Sequence, residues 1–113
     1  MGQSIAPAVR RTFLLGALLS SSAGVSHAQS AAEKLYKDRC EICHGMDGKG
    51  ETDMGKKIKV RDFHSPAVQK ETDAQLTEII KKGKNQMPAY ENRVPDEQIK
   101  QLVQLIRDLQ TKK

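Results

Sequence analysis

Cys40, Cys43 and His44 carry the most specific chemistry in this chain. The run Cys40-Glu41-Ile42-Cys43-His44 sets two thiols three positions apart and an imidazole directly after the second. Two thiols at that separation can reach the two vinyl groups of one haem, which leaves the adjacent histidine beneath the iron as an axial ligand. The pattern uses both cysteines of the chain. Its other uses fit less well. A structural zinc site wants four ligands, and beyond this cluster only His64 and carboxylates are on offer, with no second cysteine pair. A thioredoxin-like redox pair needs an alternating strand and helix context that is missing here, and a plain disulfide rarely closes across two intervening residues.

Haem iron takes a sixth ligand or keeps an open site, and the difference separates electron carriage from gas or peroxide chemistry. Candidates are Met46, Met54, Met87 and His64. Met46 and Met54 follow His44 too closely to wrap easily around to the other haem face. Met87 comes 43 residues after His44, in Gly83-Lys84-Asn85-Gln86-Met87-Pro88-Ala89-Tyr90. A lone methionine is more often core filler, but a polar loop bounded by Gly83 and Pro88 is a poor place for filler, and Pro88 stiffens it. The sixth ligand is therefore expected to be Met87.

The elements that must position these groups read as helices. Ala31 to about Arg39 puts Ala32, Leu35, Tyr36 and Cys40 on one face. From His44 to Gln69 the chain is rich in loops and glycine, with a weak strand possible around Ile58 and Val60. Thr72 to Lys82 opens on a capping-box pattern, Thr72 with Gln75, carries Leu76, Ile79 and Ile80 on one face, and ends at Gly83. Pro95 to about Gln110 is the clearest helix: Pro95 suits the first helical position, and Ile99, Leu102, Val103, Ile106 and Leu109 form its apolar face. The expected class is all-α, three main helices with long loops.

Composition supports a bound group. The chain has 113 residues, 37% of them apolar, only four aromatics and a formal net charge of +5. The first residues carry Arg10 and Arg11 without an acid, then the apolar run Phe13 to Leu19, then Ser26-His27-Ala28. This reads as a secretory signal peptide over 1–28, with the mature domain at 29–113. Removing it leaves 85 residues, with 17 basic against 14 acidic side chains. So small a domain buries only about 60–65% of its unfolded surface, and something large and apolar is expected inside. A net charge of +3 with three aromatics gives little for nucleic acid to bind, and no stretch approaches the roughly 20 apolar residues of a membrane span.

Leu35-Tyr36 before Cys40, the CxxCH-Gly45 turn, the Gly48 and Gly50 loop, the helix ending at Gly83, Met87-Pro88-Ala89-Tyr90 and the last helix together resemble a class I monohaem cytochrome c across 29–113. The resemblance implies an all-α fold wrapped around one covalently attached haem c, with the first and last helices crossing near right angles, His44 as proximal and Met87 as distal ligand. Four positions depart from the family. Ala32 replaces a glycine at the contact of the terminal helices, Leu105 lies near where an aromatic is common, and Val94 stands where serine would cap better. Gly55-Lys56-Lys57 offers no counterpart to the proline whose carbonyl often receives the proximal-histidine N–H.

Iron with both axial positions filled binds no substrate, so the expected function is a monomeric single-electron carrier, not an enzyme. The alternative is a haem-based gas sensor or peroxidase-like module with a displaceable distal ligand. Lys57, Lys59, Arg61 and Tyr90 are candidates for the haem propionates. Lys49, Lys56, Lys57, Lys59, Arg61, Lys81, Lys82 and Lys84 are expected to frame the haem edge and steer docking to acidic patches on redox proteins, such as a terminal oxidase or a quinol-cytochrome c reductase of a respiratory chain. Covalent haem attachment takes place on reduced thiols outside the cytoplasm, so export unfolded to the periplasm is expected despite the twin-arginine look of the leader. N-terminal sequencing of the exported protein is expected to begin at Gln29, and a start before Arg10 would show that the leader is retained.

Overall fold

A computed structural model describes residues 26–113, together with the isolated Gly2. The body of the expected leader, with Arg10, Arg11 and the run from Phe13 to Leu19, lies outside the described residues. Among the described residues six helices follow one another: α1 (Ser26–Arg39), α2 (Glu41–His44), α3 (Asp53–Ile58), α4 (Pro66–Gln69), α5 (Asp73–Lys82) and α6 (Asp96–Thr111). The three main helices are those expected. Helix α1 begins five residues earlier than the apolar pattern suggests, because Ser26 to Ser30 contains neither glycine nor proline to stop it. Among the described residues there is no strand; Ile58 closes α3 instead of opening one, and the sole bridge joins Lys84 to Met87. No helix among these residues is long and apolar enough to cross a membrane.

Three of the described helices, α3, α4 and α5, start on a side-chain cap. Thr72 caps α5 in a reciprocal capping box: its hydroxyl accepts the Gln75 N–H at 3.1 Å, and the Gln75 side-chain Oε1 accepts the Thr72 N–H at 2.8 Å. Thr52 and Ser65 cap the short helices α3 and α4 without a reciprocal bond, their hydroxyls accepting from Gly55 N and Val68 N. Pro95, expected at the first helical position, is instead the N-cap of α6, which starts one residue later at Asp96, and it supplies no side-chain bond. Val94 is therefore one residue outside the helix, not its cap. It is buried, as is Ile99 in the first turn, which are the two positions of a hydrophobic staple.

The apolar faces meet in one cluster. Tyr36 from α1, Val68 from α4, Leu76 and Ile80 from α5, and Ile99, Leu102, Val103, Ile106 and Leu109 from α6 are buried together with Phe63 and Val94. Helix α6 packs against both α1 and α5. Ala32 is 4% exposed on α1, so its methyl is absorbed into that packing, and Leu105 covers the cluster from its edge. Arg107 clamps α6 to the start of α5, donating from Nε to Asp73 at 2.9 Å and from its guanidinium to the Glu71 carbonyl.

A second clamp holds the C-terminal end of α6. The His64 ring places Nδ1 2.9 Å from Asp62 Oδ1 and Nε2 2.9 Å from the Leu109 carbonyl and 3.2 Å from that of Lys112. Both ring nitrogens face acceptors, so only the doubly protonated imidazolium donates to all of them. The Asp62 hydrogen bond accordingly raises the His64 pKa above its ordinary value. A raised folded-state pKa means that this stabilisation is complete below the unfolded value of about 6.5 and is lost as pH rises through the folded one. The melting temperature of wild type over His64→Ala is expected to be largest near pH 5.5 and to narrow by pH 8; a constant gap would show that the imidazolium contributes nothing.

Candidate functional site

The segment from Cys40 to His44 is a single tight turn. Helix α1 ends at Arg39, the Cys40 N–H still donates to Tyr36 O at 2.7 Å, and the His44 N–H donates back to Cys40 O at 2.9 Å. Helix α2 buries no residue of its own, so the turn is held from outside. Tyr36 donates its hydroxyl to the Gly45 carbonyl at 2.6 Å. Thr52, while capping α3, donates its hydroxyl to the carbonyls of Ile42 and Cys43 at 2.7 and 3.1 Å. Gly55 lets α3 lie flush on the turn, because a Cβ there would collide with the carbonyls of Cys43 and Gly50.

Cys40, Cys43 and His44 line one side-chain cleft together with Leu35, Tyr36, Val60, Phe63, Ile80, Met87 and Ile106. Both cysteines are free thiols. Burial, and then the neighbouring Cys43, push the Cys40 thiol up to about 11, so it stays protonated at neutral pH. Burial, and then the charge of Arg61, pull His44 down to about 4. The imidazole is therefore neutral, the form that ligates a metal.

Met87 reaches the cleft on a loop built for it. Gly83 ends α5 at φ +75° and ψ 170°, a conformation essentially reserved to glycine. Lys84 and Met87 then exchange two backbone hydrogen bonds of 3.2 and 2.9 Å around Asn85 and Gln86. Beyond it, the N–H groups of Tyr90 and Glu91 donate to the Ile80 and Lys81 carbonyls, and Lys82 pairs with Glu91 at 2.7 Å. The other ligand candidates are elsewhere. Met46 and Met54 are 77% and 41% exposed and do not line the cleft, and His64 is engaged with Asp62 and the end of α6.

Charges at the cleft are fewer than the sequence suggests. Arg39, Lys59, Arg61 and Lys84 line it, with Tyr90; Lys57 does not. Arg61 is held by Glu71 through two contacts of 2.7 and 3.2 Å. Lys81 and Lys82, expected on the free basic rim, are paired with Asp96 and Glu91, because α5 ends beside both the loop that carries Glu91 and the first residue of α6. The positions that sequence reasoning missed are Thr52, Gly55 and Phe63. Thr52 was readable as a helix cap, whereas the Phe63 ring against His44 follows only from the fold.

Two thiols, a neutral imidazole and a thioether around one apolar cleft are a donor set that fits a haem held through sulfur, and with the all-α fold they define a c-type cytochrome. The family described as "Cytochrome C oxidase, cbb3-type, subunit III" matches residues 27–106. Among solved structures, the KustC0563 c-type cytochrome is similar with 32% identity and a TM-score of 0.65, over 71% of this chain and 98% of that one. A mutant of the same cytochrome is similar at 31% identity and a TM-score of 0.63, over 69% of this chain and 96% of that one. No curated protein matches. The chain belongs to this cytochrome c family: it is a small monohaem class I c-type cytochrome with one covalently bound haem c, and its chemistry is haem-based electron transfer.

Gly83 gives the site its most exposed weakness. A Cβ there would stand 2.5 Å from the Met87 carbonyl oxygen, in a backbone region that side chains avoid. Gly83→Ala is expected to cost about 1–3 kcal/mol, read as a lower denaturation midpoint with an unchanged slope.

Proposed function

We propose that residues 29–113 form an exported, monomeric, single-electron carrier in which Cys40 and Cys43 tether the haem as thioethers, His44 is the proximal ligand and Met87 the distal one. The observation that carries this reading is that, of Met46, Met54, Met87 and His64, Met87 alone lines the cleft that holds the two thiols and the His44 imidazole. When bound, haem supplies one iron that changes between ferric and ferrous by a single electron. The chain does the rest. Burial keeps His44 neutral and able to ligate, while a soft thioether favours ferrous iron and the apolar lining penalises the extra charge of the ferric state, and these last two raise the potential.

Arg39, Lys59 and Lys84 at the cleft give a basic surface suited to brief, salt-sensitive encounters with acidic patches on redox proteins. A terminal oxidase and a quinol-cytochrome c reductase are the partners this reading favours, with the periplasm as the compartment. Arg61, whose charge is already shared with Glu71, is the candidate with the most rigid position for a haem propionate.

Visible spectra with and without carbon monoxide test the ligation. Wild-type ferrous protein is expected to be unaffected by the gas. Met87→Ala is expected to bind it and to lower the potential far more than Met54→Ala; equal effects of the two substitutions would overturn the assignment of Met87. Carbon monoxide binding by the wild type would favour a sensor or peroxidase-like module.

A further inference from the structure

We infer that Phe63 is the positioning residue for the His44 imidazole, orienting it by ring stacking in place of a hydrogen bond at Nδ1. The inference rests on His44 being the proximal ligand, as proposed above. A ligating histidine is normally oriented by an acceptor for its second ring nitrogen, which also enriches the ring as a donor to the metal. In this protein His44 Nδ1 is buried and meets no hydrogen-bond partner among the described residues. What meets the ring instead is Phe63, with centroids 4.7 Å apart and planes inclined by 28°.

Phe63 is itself held firmly. The residue is 7% exposed within the main cluster, and its N–H donates to Gly48 O at 2.9 Å. Gly48, at φ +74°, is the residue that admits it, because a Cβ there would run into the Phe63 ring. On either side Asp62 and His64 form the clamp to the end of α6. The orientation of His44 is thus set by a short segment anchored at both Gly48 and α6. An imidazole whose Nδ1–H is not drawn toward an acceptor is the poorer electron donor, which favours ferrous iron.

The test is nuclear magnetic resonance on the whole haem-loaded protein. In the ferrous wild type, His44 ring protons are expected at positions strongly shifted by the haem ring current, with cross-relaxation to Phe63 ring protons and an Nδ1–H resonance outside the hydrogen-bonded range. Absence of the shifted ring protons would overturn the ligand assignment, and this inference with it. Their presence together with a hydrogen-bonded Nδ1–H, or without cross-relaxation to Phe63, would overturn this inference alone, and neither measurement needs a variant. In the ferric state, Phe63→Leu is expected to change the spread of the haem methyl shifts, which follow the orientation of the axial ligands, while Phe63→Tyr keeps the wild-type pattern. A Phe63→Leu protein that merely melts earlier with an unchanged pattern would assign Phe63 a packing role only.

Discussion

The turn from Cys40 to His44 cannot hold itself. Helix α2 is four residues long and buries none of them, and a helix that short has no stability of its own in water. Its shape comes from outside, through Thr52 at the head of α3, whose hydroxyl binds two of its carbonyl groups, and Tyr36 below it on α1, whose hydroxyl binds the Gly45 carbonyl directly after it. These bonds leave the turn's side chains uncommitted. The thiols and the imidazole can therefore face the cleft while the backbone is fixed from behind.

The second half of the cleft solves the opposite problem. Met87 sits on a loop, where position is usually loose, and the chain tightens it by closing Lys84 on Met87 and bonding Tyr90 and Glu91 back to the last turn of α5. The ion pair of Lys82 with Glu91 adds little by itself, since exposed pairs contribute about 0–1 kcal/mol, but it lies along the same junction. Arg61 acts between the two halves. It helps keep His44 neutral, and Glu71 holds its guanidinium in place through two contacts.

Much of this was legible in the sequence, and the reasons it was not everywhere are physical. The capping box at Thr72 and the apolar faces of α5 and α6 are strictly local or periodic signals, and each appears where expected. Met87 could be distinguished from Met46 and Met54 by spacing and by its polar loop, and it is the methionine at the cleft. Helices α3 and α4 are too short to show a period, so only the caps Thr52 and Ser65 announce them. The fate of Lys81 and Lys82 depends on which acids the fold brings alongside the end of α5. Contacts such as Arg61 with Glu71, or His64 with the Leu109 carbonyl, join residues with no pattern between them.

The packing of α1 on α6 joins the two ends of the domain. Loop closure between such distant segments has to be met before their contacts repay it. Tyr36, which grips the Cys40–His44 turn, shares its burial with Ile99, Leu102 and Ile106 on α6. The early part of the chain thus lacks its covering layer until the last helix has been made. Because α6 follows every other described helix in the chain, the layer that closes over the segment bearing the two thiols is the last to form.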